Sequence, residues 1–104
     1  MSLSLTPRQR QQLKGLAHPL KPVVQVGAAG VTDSVLTALA EALRRHELVK
    51  LKLPKLEGAE AREAMAASVV ERSGATEVQL LGRVLVLYSP RDKDLPGKPR
   101  IRLV

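Results

Sequence analysis

Hydrophobic residues recur along this chain at two spacings, one typical of helices and the other typical of strands. The first helical stripe follows Thr6 and Pro7, a pair that suits a helix N-terminus because threonine can cap it and proline fits its first turn. A second stripe follows Thr32 and Asp33, and an alanine-rich third occupies residues 58–73. The residues predicted to face the core are Leu13, Leu16, Ala17 and Leu20 in the first helix, Val35, Leu36, Leu39, Ala40 and Leu43 in the second, and Ala61, Met65, Ser68 and Val69 in the third.

Four other segments have the character of strands. Residues 22–26 are rich in β-branched side chains, and residues 48–53 alternate between apolar and polar positions. Residues 78–81 and 84–88 flank Gly82-Arg83, a dipeptide that suits a two-residue hairpin turn. The chain is therefore predicted to be α/β, a single compact αβαβαββ domain with three helices and a four-stranded mixed sheet, in two or three layers.

Charge is unevenly distributed along the 104 residues. Lysine and arginine number 17 against 10 acids, which gives a net charge of +7. Residues 1–30 contain no acid, residues 57–77 carry five acids against two basic residues, and residues 78–104 carry six basic residues against two acids. This segregation favours a polyanionic partner: a nucleic acid, an anionic membrane surface or an acidic protein.

Several classes of function are disfavoured by what the composition lacks. There is no cysteine and there are only two histidines, so we expect no metal and no cofactor. Tyr88 is the only residue among Phe, Tyr and Trp, which disfavours a sheet that stacks RNA bases; Tyr88 is either a strand residue packed on the core or a stacking platform. Since no nucleophile–base pair, apolar leader or membrane-length apolar stretch is visible, we expect a cytoplasmic protein that is not an enzyme, with no small-molecule substrate and no membrane partner.

Gly27-Ala28-Ala29-Gly30 forms a G-x-x-G loop between a predicted strand and the start of a predicted helix. Glycine lets the backbone approach a phosphate closely, and a helix N-terminus attracts anions. The alanines supply neither charge nor hydrogen bonds, so any such contact must come from the backbone. The other interpretation is structural: a tight turn that needs a positive φ.

The remaining polar candidates also have two interpretations each. Lys50 and Lys52 are expected to face outward from their strand, where they either contact phosphate or protect an exposed sheet edge. His18 and His46 lie at predicted helix ends, which suits helix termination better than catalysis. Residues 91–104 are rich in proline and charge and predict a basic C-terminal tail following a domain of residues 1–90.

The segments Leu13–Val24 (LKGLAHPLKPVV) and Val26–Thr32 (VGAAGVT) resemble the CRM domain, a module of chloroplast RNA splicing and ribosome maturation proteins. Segments 46–52, 73–75 and 81–90 continue the likeness, which extends over roughly residues 3–90 and is strongest to the stand-alone bacterial YhbY-type RNA-binding proteins. The resemblance implies a fold similar to the C-terminal domain of bacterial translation initiation factor three. It also implies binding to rRNA in precursors of the large (50S) ribosomal subunit.

The resulting hypothesis is a non-catalytic RNA-binding protein that is monomeric when free and contacts RNA through phosphates. The predicted RNA-binding residues are Arg8, Arg10, Lys14, Lys21, Gly27, Ala28, Ala29, Gly30, Lys50 and Lys52. The alternative is a protein-interaction adaptor whose basic face docks an acidic or ribosomal protein.

Overall fold

The computed structural model describes residues 4–91 and 94–104. Residues 1–3 of the predicted domain and residues 92 and 93 of the predicted tail lie outside the described residues. The elements are α1 (Pro7–Ala17), β1 (Pro22–Gln25), α2 (Asp33–His46), β2 (Leu48–Lys52), α3 (Gly58–Ser73), β3 (Thr76–Leu81) and β4 (Val84–Tyr88). Their order confirms the predicted αβαβαββ arrangement, and β3 begins two residues earlier than the pattern indicated.

The four strands form one mixed sheet in the order β1-β2-β4-β3. β1 is parallel to β2, whereas β4 is antiparallel to both β2 and β3. Gly82 has a φ of 59°, as the first position of a Gly-X hairpin turn requires. Because β2 lies between β1 and β4, the interpretation of Lys50 and Lys52 as protectors of a sheet edge is wrong.

Local sequence explains where the first two helices begin. The Thr6 hydroxyl accepts from the Gln9 backbone N–H at 3.1 Å, and the Thr6 N–H donates to Gln9 Oε1 at 3.0 Å, which is a complete capping box. At α2 the Thr32 hydroxyl accepts from the Val35 N–H at 3.2 Å. His18 occupies the C-cap of α1, in agreement with its predicted role in helix termination.

Helices cover both faces of the sheet, which makes the domain three-layered. α2 and α3 pack on one face, over a core that includes Leu39, Leu51 and Val69. α1 packs on the other face, where Leu13 and Ala17 meet side chains of β2, β3 and β4. The predicted buried stripe of the third helix, Ala61, Met65, Ser68 and Val69, was partly right. Val69 is fully buried, whereas the other three are only half-buried and the second fully buried residue of α3 is Ala66.

Two residues of the first predicted apolar face are not buried. Leu16 and Leu20 remain 45% and 39% exposed, and with Val23, 56% exposed, they line an open groove of about 390 Å³. Only one side of α1, at Leu13 and Ala17, rests on the sheet. The helical spacing gave the right face of α1 but overestimated its buried width.

Tyr88 is 2% exposed and belongs to the core beneath α1. Its interpretation as a stacking platform for bases is therefore wrong, and its interpretation as a packed strand residue is right. Burial raises the pKa of the Tyr88 hydroxyl, and the nearby Glu47 carboxylate adds to the effect.

The C-terminal segment lies against the same face of the sheet as α1. Ile101 and Leu103 pack on the core beneath that helix. Gln12 donates to the Arg102 carbonyl at 2.8 Å and accepts from the Val104 N–H at 3.0 Å. None of the helices within residues 4–91 and 94–104 is long and apolar enough to cross a bilayer.

Candidate nucleic-acid interface

The G-x-x-G loop projects from the sheet at the N-terminus of α2. Gly27, Ala28 and Ala29 are exposed, and the turn is closed by a hydrogen bond of 3.0 Å from the Gly30 N–H to the Gly27 carbonyl. Gly30 has a φ of 81°, so the positive φ expected of a tight turn is present at this position. A Cβ placed on Gly27 or Gly30 would meet nothing within 4 Å, which means that the loop backbone is open to a partner.

One arginine of α3 fixes the C-terminal side of this loop. The Arg72 guanidinium donates to the Val31 carbonyl at 2.6 Å and lies 3.6 Å from the Asp33 carboxylate. This ion pair compensates the acid at the start of α2, which by itself would repel a phosphate. Sequence reasoning missed Arg72, because the last turn of α3 and the first turn of α2 are about 40 residues apart and no local pattern joins them.

The strand register brings Lys52 and Arg83 to the same end of the sheet as the loop. Gln25 pairs with Lys52, and the Val26 N–H donates to the Lys52 carbonyl at 2.9 Å. Arg83, in the hairpin turn, donates from Nε to the Leu53 carbonyl at 3.2 Å. Arg83 was not among the predicted residues, although the parallel β1–β2 pairing and the hairpin position together imply its location.

Lys14 and Lys50 lie away from the loop, in a cleft of about 290 Å³ between the end of α1 and the sheet. Lys50 Nζ donates to the His18 carbonyl at 3.3 Å and to the Leu20 carbonyl at 2.9 Å. These contacts neutralise carbonyls at the C-terminal end of α1. Among the described residues these are the two hydrogen bonds of Lys50, so its ammonium, which has three N–H groups, keeps one donor for a ligand in the cleft.

The three other predicted cations lie apart from one another. Arg10 points toward β3, where its Nη1 donates to the Glu77 carbonyl at 2.9 Å and the Val78 carbonyl at 2.8 Å. Arg8 is exposed at the N-terminal end of α1, beside Val104. Lys21 is exposed in the groove that also contains His46. The predicted RNA-binding residues therefore form separate groups rather than one continuous patch.

Within the part of the chain that the structure describes, no three His, Asp or Glu side chains are close enough together to hold a metal ion. What the site offers is an open backbone loop at a helix N-terminus and lysine and arginine side chains near it. These are the groups that contact sugar-phosphate backbones.

The fold and the site together define the class of protein, which is an α/β domain with a G-x-x-G loop between β1 and α2. The family model of the CRS1 / YhbY (CRM) domain matches residues 5–89, and the chain belongs to this family. The match confirms the resemblance carried by the loop and the segments around it.

Bacterial relatives and one solved structure agree with this assignment. A Haemophilus influenzae protein named "RNA-binding protein" is 39% identical over 97 residues, covering 93% of this chain and 97% of its own. The Bacillus subtilis protein named "Probable RNA-binding protein YqeI" is 38% identical over 85 residues, covering 81% and 86%. The solution structure of the hypothetical protein SAV1595 from Staphylococcus aureus has a TM-score of 0.73 and 27% identity, and it covers 89% of this chain and 100% of its own.

Proposed function

We propose that this protein binds structured RNA, and that its target is rRNA in precursors of the large ribosomal subunit. The exposed G-x-x-G loop, open at Gly27 and Gly30, is the observation that carries the proposal. Names of the relatives from Haemophilus influenzae and Bacillus subtilis support RNA as the ligand. The ribosomal target rests on the resemblance to the YhbY-type proteins.

Binding is electrostatic and largely independent of base identity. The loop presents backbone to the phosphates, while Lys52 from β2 and Lys14 from the cleft supply charge. Tyr88, the only residue of the chain among Phe, Tyr and Trp, is buried, so it does not stack on bases. Contacts to the sugar-phosphate chain position the protein but carry little sequence information.

Salt dependence is the direct measurement of this mechanism. If about five phosphates are neutralised, the slope of log affinity against log salt concentration is about −3.5 to −4.5. Fluorescence anisotropy with a structured rRNA fragment at several salt concentrations gives this slope. A slope near zero at unchanged affinity contradicts an electrostatic interface.

Charge reversal locates the binding face. Lys14→Glu is expected to weaken RNA binding more than Glu63→Lys, an opposite change on the acidic helix α3. Arg10→Glu is a poorer probe of the face, since Arg10 also binds the Glu77 and Val78 carbonyls. If Glu63→Lys had the larger effect, the interface would lie on α3 instead.

The ribosomal target is tested in a cell lysate. Sedimentation through a gradient, with and without ribonuclease, is expected to place the protein with large-subunit precursors only while RNA is intact. A protein that stays in the light fractions under both conditions contradicts the target.

The groove beside α1 favours a second candidate function, a protein-interaction adaptor. Leu16, Leu20 and Val23 expose apolar surface there next to the Lys21 ammonium, a combination that suits an acidic protein segment with apolar side chains. Such a partner would remain in a pull-down after ribonuclease treatment, whereas an RNA-dependent partner would be lost.

A further inference from the structure

A second group of cations lies at the other end of α2, where the C-terminal segment returns to the domain. We define the α2–tail patch as Arg44, Arg45, His46 and Lys98. The Arg91 guanidinium assembles it, donating to the Arg45 carbonyl and, at 2.8 Å, to the Lys98 carbonyl. Lys98 Nζ lies 3.1 Å from His46 Nδ1, so residues 52 positions apart in sequence share one charged surface.

Two acids near the patch, Glu47 and Asp94, are already engaged in other contacts. Glu47 is 1% exposed, and its two carboxylate oxygens accept from the Arg91 and Ile101 backbone N–H groups. Asp94 is held by Arg100, whose backbone N–H donates to it at 2.6 Å. That hydrogen bond is the main reason why the pKa of the Asp94 carboxyl lies below its ordinary value. Among residues 4–91 and 94–104, no carboxylate forms an ion pair with Arg44, Arg45 or Lys98.

Two carbonyls at the end of α2 are paired without using the side chains of these exposed cations. Positive side chains at a helix C-terminus usually offset its unpaired carbonyls. Here the buried Arg91 guanidinium already donates to the Arg44 and Arg45 carbonyls. The exposed side chains of Arg44 and Arg45 are therefore available to an external anion.

The pKa of His46 reflects the positive charge of the patch. Its pKa lies below the ordinary value of 6.5, first because of partial burial and then because of the charges of Lys98, Arg45 and Arg91. The same charges that disfavour a proton on His46 favour a phosphate beside it.

The patch and the G-x-x-G loop occupy opposite ends of one helix. α2 begins directly after the loop and has 14 residues, which places its two ends about 20 Å apart. Lys21, which directly precedes β1, lines the same apolar groove as His46. The helix α2 therefore separates two sets of residues, the loop and the patch, whose chemistry suits phosphate.

We propose that the α2–tail patch is a second binding site for RNA phosphates, so that the domain holds two backbone segments at opposite ends of α2. The proposal rests on the proposed RNA-binding function and adds to it. Phosphodiester backbone is the ligand that fits, because the patch offers guanidinium and ammonium groups and contains no Phe, Tyr or Trp.

The test compares charge reversals of equal size at two places. Arg45→Glu and Lys98→Glu are measured against Arg62→Glu, which makes the same change of charge on α3. The probe is large-subunit rRNA transcribed in vitro, titrated at several salt concentrations, with circular dichroism to verify the fold of each variant. Each patch variant is expected to bind about fivefold to tenfold more weakly than Arg62→Glu and to reduce the salt slope by about 1.

Three other outcomes would lead to different conclusions about the patch and about RNA binding. If the patch variants bind like Arg62→Glu while Lys14→Glu still weakens binding, the second site is wrong and the RNA-binding function stands. If the unaltered protein shows no salt-dependent binding, the proposed function fails and the second site fails with it. If Arg45→Glu instead removes a protein that is captured from lysate after ribonuclease treatment, the patch is a protein interface and the proposal is overturned.

Discussion

Glu47 and Arg91 form a buried ion pair that joins the C-terminal segment to the junction of α2 and β2. Glu47 Oε1 lies 3.5 Å from Arg91 Nη2, with side-chain exposures of 1% and 9%. The same carboxylate accepts from the Ile101 N–H at 2.7 Å, so it holds two points of the segment. The backbone of Glu47 is strained, since its φ of 62° is one that residues other than glycine rarely adopt.

Glu47→Gln is expected to destabilise the protein strongly. The substitution leaves the Arg91 guanidinium buried without its counter-ion, which costs about 3 kcal/mol in comparable cases. Urea unfolding followed by circular dichroism measures the loss. Asp94→Asn is the control, because the Asp94–Arg100 pair is exposed and an exposed pair contributes little. Equal losses in the two variants would show that burial does not decide the contribution of the Glu47 pair.

Arg8 and Arg10 lie two positions apart on α1, and their substitutions are expected to have effects in different assays. Arg10→Ala removes the donor to the Glu77 and Val78 carbonyls and should cost about 1–2 kcal/mol of unfolding free energy. Arg8 is exposed, so Arg8→Ala should change stability by less than about 0.5 kcal/mol while reducing the salt dependence of RNA binding. Stability and RNA titrations of both variants separate the roles. If Arg10→Ala instead reduced the salt dependence of RNA binding and left the stability unchanged, Arg10 would be the RNA contact.

Much of the fold was predictable because its signals are local. The capping box at Thr6 and Gln9 and the glycine turn at Gly82 depend on residues within a few positions of each other. Strand alternation likewise located β2 and its two faces. The burial of the first predicted helix was overestimated, since the exposure of Leu16 depends on where α1 lies on the sheet, and Leu20 follows the end of α1 at Ala17.

The arrangement of the candidate site was less predictable, because it depends on contacts between distant segments. Basic residues could be named from the sequence, but the engagement of Lys50 with the end of α1 requires a contact over 30 positions. The approach of Lys98 to His46 depends on the buried Glu47–Arg91 pair, which composition does not signal. Charge alone therefore predicted a polyanionic partner but not the geometry of the surface that would meet it.

Substitutions in the loop are expected to separate its conformation from its role in binding. Gly30→Ala forces a Cβ onto a φ of 81° and should cost about 1–2 kcal/mol of stability. Gly27 is not in the left-handed region and has open space around it, so Gly27→Ala should preserve stability. If the backbone meets a phosphate, Gly27→Ala should still weaken RNA binding. Unchanged RNA affinity in both variants would leave the loop with a purely structural role.

Through the packing of Ile101, the C-terminal segment is expected to contribute to the stability of the domain. Ile101 packs on the core beneath α1, whereas the Val104 side chain is 59% exposed. Ile101→Ala should lower the unfolding free energy by about 1–2 kcal/mol, and Val104→Ala by less than about 0.5 kcal/mol. Thermal unfolding of the two variants makes the comparison. A stable Ile101→Ala protein would indicate that the segment contributes no packing energy.

His46 is expected to titrate below 6.5 in the free protein, in an NMR titration of its imidazole protons. Because its pKa in the folded state is lower than in the unfolded chain, the unfolded state binds more protons as the pH falls through 6.5. His46 therefore makes the protein less stable on acidification, and this effect disappears above that pH.

Two changes are expected to raise the pKa of His46. Lys98→Ala removes the nearest charge, at 3.1 Å, and should raise it toward 6.5, whereas Lys14→Ala, a change in the cleft at the other side of α1, should leave it unchanged. Saturating RNA should raise it as well, since a phosphate on the α2–tail patch favours the protonated ring. A His46 resonance that titrates identically with and without bound RNA would place the phosphates elsewhere.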